Sequence, residues 1–360
     1  MRLVFFGLSL SSSWGNGHAT TYRGLLRALA DLGHEIIFYE EDVPWYAENR
    51  DLAAPDFCRL KLYRSLDEID RDDLRQADAA TIGSYVTGSS ELAALVRQHP
   101  DALLSYYDID TPVTVAKLDR GGAEYLAAAT IPEFDFYFSF TGGPIMERLS
   151  SKYGARRVQL LGCSADPQLY HPLHQPRDYA LGYLGTYDAS RQPMLDRLLI
   201  EPARRLPDRR FIVAGPQYPS DLAWPSNVER IDHLPPREHT AFYNALQFAA
   251  NVTRADMVEA GYSPSVRMFE AAACGRPVIT DAWAGLEHFF EPGEEALVCR
   301  TPEDVVRLLS LTESERESIG ERGRRRVLRD HVAVVRAQTF VDTLASARAD
   351  RPAQSKEEVA

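Results

Sequence analysis

The stretch NVTRADMVEAGYSPSVRMFEAAACGRPVITD, residues 251–281, sets groups that bind an anion beside a group that binds hydroxyls. Gly261 and Pro264 force a loop, and Ser263 and Ser265 are residue types that favour helix N-caps. The spacing predicts a helix from about Val266 to Ala273 whose first amides stay unpaired. Those amides and the two serine hydroxyls would form an anion site. Arg267 falls in the first turn, where a cation opposes the helix dipole unless an anion binds in front of it. Glu270 follows one turn later, near the same face; a carboxylate there can hold two vicinal hydroxyls, as on a ribose. Arg254 adds a second cation at the cleft end of the preceding strand. Taken singly, each is a cap or a surface ion pair. Together they favour a bound sugar diphosphate.

A second group lies near the N-terminus, in the loop Ser9–Ser13, Trp14, Gly15, Asn16, Gly17, His18. Glycines between a strand and a helix let backbone N–H groups approach an anion closely. The loop does not read G-x-G-x-x-G, so it is no dinucleotide fingerprint. His18 opens the helix at the cleft end of the strand. It is read as a general base toward a hydroxyl, a phosphate donor, or simply a helix cap. His34, in the turn at the far end of that helix, is structural.

These groups need elements to hold them. Leu3–Phe6 is a short apolar run ending at Gly7, the pattern of a buried parallel strand. TTYRGLLRALADLGH puts Tyr22, Leu25, Leu26, Leu29 and Leu32 at helical spacing, with Gly33 as the C-cap glycine. EIIFYE is the next strand. Strands follow at ALLSYYD, FDFYFSF and VQLLG; PVTVAKLDRG either continues the first of these or turns helical after Pro112. Residues 172–180, with two prolines and few apolar side chains, form the linker. A second alternating series starts at ALGYLGTY, and residues 313–347 form a long helical region broken near Asp330. The expected domains are 1–172 and 173–330, then a helix 331–347 returning to the first, then a disordered tail 348–360. Two successive α/β halves make the cleft between them the default ligand site.

Composition narrows the function further. The 360 residues carry 40 Lys+Arg against 52 Asp+Glu, a net charge of −12. Such a chain is a poor general binder of nucleic acid. No run reaches the ~18–20 apolar residues that span a bilayer, so no stable membrane insertion is expected. The four cysteines form no C-x-x-C pair and read as small buried hydrophobes in a reducing cytoplasm. MRLVFFGLSLSSSWG is read as a first strand, not a signal peptide.

FEAAACGRPVITD resembles the C-terminal signature of the GT-B glycosyltransferases. Gly285-Leu-Glu287 with EPGEEALV (291–298) resembles the block that follows it. LLGCSADPQLYHP (160–172) is similar to their bridge into the C-terminal domain. The Trp14–His18 loop and GHEIIFYE resemble their N-terminal strand–loop–helix. The loop together with SPSVRMFEAAACG is most similar to the group 1 members of the CgeB-like, spore-maturation-protein-like branch. The likeness covers about residues 1–347. It implies two Rossmann-like α/β domains facing across a cleft, with a C-terminal helix crossing back. It also implies transfer of a sugar from a nucleotide-diphosphate sugar, UDP foremost, to an acceptor hydroxyl on a small molecule or glycan, with no further cofactor.

By the same resemblance, Glu270 grips the nucleotide ribose, and Ser263, Ser265 and Arg267 meet the diphosphate. Gly185 and Arg191 sit in a phosphate-contacting loop, Gly215 in a loop near the nucleotide, and His233 near the base. Gly17 belongs to the N-terminal loop. The sequence departs from the retaining members at Tyr262, where they carry a second glutamate; Glu259 is near but out of register. Donor-sugar recognition and stereochemistry therefore stay open. Asp108-Ile-Asp110 reads as D-x-D, a metal motif in another fold class, but lies in the other half from the diphosphate block. Metal-independent chemistry is expected, with an acceptor-side role for Asp110 or Asp108, even as base. Trp14, Tyr106 and Tyr107 either line an acceptor platform or belong to the core. The alternatives are a sugar-nucleotide epimerase on the same fold and a non-catalytic nucleotide-binding surface-layer or structural protein.

Overall fold

The structure, a computed structural model, describes residues 1–15 and 17–350. It contains two parallel sheets. The first holds β1 (Arg2–Gly7), β2 (Glu35–Glu41), β3 (Arg59–Tyr63), β4 (Ala79–Gly83), β5 (Leu103–Asp108), β6 (Phe136–Ser139) and β7 (Val158–Leu160), in the order 3-2-1-4-5-6-7. The second holds β8 (Tyr179–Leu184), β9 (Phe211–Ala214), β10 (Val228–Ile231), β11 (Leu246–Asn251), β12 (Val278–Thr280) and β13 (Ala296–Val298), in the order 10-9-8-11-12-13. In each sheet the order reverses beside the first strand, between β1 and β4 and between β8 and β11. Such a reversal opens a crevice at the carboxyl ends of the strands. This is the GT-B arrangement of two Rossmann-like units.

Leu3, Val4, Phe5 and Phe6 are all at most 1% exposed, because helices cover both faces of a central parallel strand. The helix His18–Asp31 buries Tyr22, Leu25, Leu26 and Leu29 against the sheet. It ends where Gly33 takes φ +83°, a conformation that favours glycine. After Asp108 the chain turns at once into the helix Thr111–Asp119 and does not continue as strand.

The chain then returns. Helix Glu313–Asp330 breaks at His331, and Ala333–Asp350 packs against His18–Asp31. Phe340 stacks near Phe5 and Phe138 of the first sheet, at ring separations of 5.6 and 4.9 Å. Arg336 donates to the carbonyls of Gly162 and Cys163 at 3.0–3.2 Å and so clamps the bridge between the units. The last helix runs past 347 to Asp350. Arg348, placed in the tail by sequence, is helical and pairs with Asp78; residues 351–360 lie outside the described residues. No helix among the described residues is long and apolar enough to cross a membrane.

Candidate active site

The carboxyl ends of both sheets face one cleft of about 580 Å³. Twelve of the residues singled out in the sequence line it: Gly17, His18, Asp110, Gly185, Arg191, Gly215, His233, Arg254, Ser263, Ser265, Arg267 and Glu270. They meet there because in parallel sheets all loops after strands emerge at one edge.

The second unit supplies the cations. Ser265 N-caps the helix Val266–Ala273 with extended backbone but makes no side-chain capping bond. Its hydroxyl accepts from Arg267 Nη1 at 3.0 Å. Arg267 also donates from Nε to the Leu184 carbonyl at 2.7 Å and from Nη1 to Asn251 Oδ1 at 3.2 Å, and lies over the Tyr183 ring at 4.8 Å. Those acceptors, not an anion alone, hold the cation at the helix head. The Ser263 hydroxyl accepts from Thr141 Oγ1 at 2.9 Å, a contact across the two units.

Arg191 lines the same cleft, with its Nε buried and without a hydrogen-bond partner. Burial pulls its pKa down; Tyr183 opposes this, and the charges of Arg267 and Arg254 pull it further. Arg254 Nε lies 3.4 Å from Asp188 Oδ2. Two glycines make room. A Cβ on Gly185 would stand 2.6 Å from Arg267 Nη2, and one on Gly215 (φ +144°) 2.1 Å from the Gly185 carbonyl oxygen. Glu270, only 6% exposed, accepts from Tyr243 Oη at 2.8 Å through Oε2.

The first unit supplies a histidine–carboxylate pair. His18 Nε2 lies 3.5 Å from Asp110 Oδ2, and Nδ1 is buried without a partner. A proton on Nε2 facing Asp110 leaves Nδ1 as the lone-pair nitrogen. Burial alone would raise the Asp110 carboxyl. The hydrogen bond and charge of His18, the charge of Arg254 and the Tyr85 hydroxyl outweigh it and hold the pKa at about 2.

Asp108 behaves differently. It is fully buried and accepts from Tyr137 Oη at 2.6 Å and Thr114 Oγ1 at 2.8 Å. Burial pushes its carboxyl up to about 7 against those two bonds, and the Asp110 charge adds to the rise. It cannot touch a substrate. Tyr106 and Tyr107 are likewise 0% and 1% exposed, so they are core residues and no platform. Trp14 remains 45% exposed.

Sequence reasoning missed Tyr243, Asp188 and Tyr85. Tyr243 sat in an apolar helical pattern that already explained it. Asp188 follows the loop that the resemblance marked, and an acid beside a phosphate loop was the available signal. Tyr85 has positive φ (+65°) just past β4, but only the strand order puts that strand end beside β1.

Residues 191–342 match a family model described as glycosyl transferase-like. Over 124 residues the chain is 32% identical to the D-inositol 3-phosphate glycosyltransferase of Mycobacterium sp. (strain KMS), a match that covers 31% of this chain. The matched stretch spans 26% of that relative's length. The fold is similar to that of sucrose-phosphate synthase from Thermosynechococcus elongatus, with TM-score 0.71 and 15% identity over 97% of this chain and 100% of that one. It is also similar to Anabaena Alr3699/HepE, solved with UDP and glucose, with TM-score 0.68 and 11% identity over 96% and 100%.

Proposed function

We propose that the protein is a glycosyltransferase that moves a sugar from a nucleotide-diphosphate sugar to an acceptor hydroxyl. The observation that carries this reading is the gathering of Arg191, Arg254 and Arg267 in one cleft, near enough that the charges of Arg267 and Arg254 bear on Arg191. Three guanidinium groups, one of them held down by burial and by the other two, form a socket for a multiply charged anion. A diphosphate leaving group fits it, because negative charge develops there as the glycosidic bond breaks. Glu270 would take the ribose hydroxyls, with Gly215 and His233 toward the base. UDP is the nucleotide we assign, in keeping with HepE, which was solved with UDP and glucose.

His18 would accept the acceptor proton while Asp110 fixes the ring and stabilises the imidazolium. Cleft closure would exclude water, so that the acceptor competes with hydrolysis. In this reading residues 1–172 bind the acceptor, 173–330 bind the donor, and no metal takes part. We place the chain in the CgeB-like branch on its N-terminal loop and SPSVRMFEAAACG block. The free cysteines fit a reducing cytoplasm. The test is release of free nucleotide from UDP-, GDP- and dTDP-sugars with and without acceptors. Acceptor-dependent release is expected. Conversion of the donor without any acceptor would replace this reading with epimerisation.

A further inference from the structure

The two walls of the cleft differ in charge: the one after residue 172 carries three arginines with Asp188 and Glu270, and the other carries Asp110 beside His18. The three arginines and both histidines other than His18 belong to the wall after residue 172. The described residues of the other wall include no lysine and no arginine; its one formal charge besides His18 is Asp110. The cations nearest in this unit are committed elsewhere. Arg23 pairs with Asp51 at 2.5 Å, and Lys117 pairs with Glu124 at 2.8 Å.

The head of the helix His18–Asp31 is the one feature of this wall that attracts an anion. Asp110 sits against His18 at that head and keeps its negative charge down to about pH 2. A second anion there meets that like charge in a partly desolvated cleft, and the one cation that reaches Asp110, Arg254 of the other wall, is already paired with Asp188. The rest of the wall offers hydroxyls at Thr20 and Thr21 and an apolar strip of Ile109, Val113 and Phe140. Exposed Trp14 stands between Ser13 and Gly15, which both line the cleft. Hydroxyl partners beside an apolar strip suit a sugar ring, which has polar edges and C–H faces.

We infer that the acceptor is an uncharged polyhydroxy compound, a glycoside or polyol, and not a phosphorylated one. This rests on the transferase reading for the word acceptor, but its binding test does not.

Matched pairs are titrated calorimetrically into the protein with UDP saturating the arginine socket: methyl α-glucoside against glucose 6-phosphate, and myo-inositol against inositol 3-phosphate. The neutral member of a pair should bind about tenfold more tightly or better. Val113→Lys, at a half-buried position, puts a cation on the wall. It should shift the ratio about tenfold toward the phosphorylated member, with UDP affinity reporting that the fold is kept. Equal or tighter binding of the phosphorylated members to the unaltered protein overturns the inference, as does failure of every neutral member to bind. Failure to bind UDP would instead overturn the donor reading and leave the ratio within each pair to decide the acceptor class.

Discussion

The ring of Tyr262 is pressed against Gly143 so closely that a Cβ on that glycine would stand 2.3 Å from Tyr262 Cδ2. Gly285 bounds the other side, where a Cβ would lie 2.4 Å from the ring. Tyr262 itself has φ +50°; its N–H donates to the Ala284 carbonyl at 2.6 Å and its carbonyl accepts from Gly142 N–H at 3.1 Å. The position where the resemblance placed a second glutamate is thus occupied by a residue that joins the two units. Gly143→Ala adds a clash and, at φ +67°, backbone strain. It should cost about 1–3 kcal/mol of stability, read as a lower urea midpoint. An unchanged midpoint would show that the seam has room to give.

Glu270→Ala removes the proposed ribose carboxylate and leaves the Tyr243 hydroxyl buried without its acceptor. Charge-assisted hydrogen bonds of about 1.5–3 kcal/mol translate into a roughly ten- to hundredfold loss of UDP affinity. Tyr243→Phe keeps the carboxylate and should cost much less. Calorimetric titration of both variants checks the order. Wild-type affinity in Glu270→Ala would remove the ribose assignment.

His18→Ala should lower kcat by about 10²–10⁴-fold while the UDP dissociation constant stays within a few-fold. Asp110→Asn should act in the same direction through the ring it positions. Steady-state kinetics beside nucleotide titration separates this from a phosphate-binding role, which would weaken donor binding instead.

Turnover should survive EDTA. Asp108 spends its carboxylate on Tyr137 and Thr114, so the D-x-D pair cannot close around an ion as it stands. Loss of activity in EDTA with recovery in Mg²⁺ or Mn²⁺ would show that the arginines are not enough.

Asp108 also predicts a pH dependence of stability. Its folded pKa of about 7 lies above the ordinary value of 3.8. Between those values the folded state holds a proton that the unfolded chain has lost, so this residue's contribution falls as pH rises from about 4 to 7. Asp108→Asn should lose that slope. Urea midpoints of both proteins across this range test it, and parallel curves would contradict it.

Much of the site could be read in the sequence because parallel sheets collect their loops at one edge. Once the strand ends at Gly7, Asp108, Leu184 and Asn251 are located, the residues after them must share a cleft. Finer placement depends on packing that local pattern does not encode. Asp108 and Asp110 are two residues apart, yet one is entombed and the other faces the cleft, because the strand ends between them. Tyr106 and Tyr107 are both core because a central strand has helices over both faces, so alternation exposes neither. The seam role of Tyr262 needed two glycines from distant parts of the chain.

The return of the last helix makes the second unit a guest inserted within its host. Residues 2–160 cannot complete their packing until Ala333–Asp350 arrives to cover His18–Asp31 and bring Phe340 between Phe5 and Phe138. During synthesis the first unit therefore waits for a helix made after the whole of the second, with an apolar groove open in the meantime.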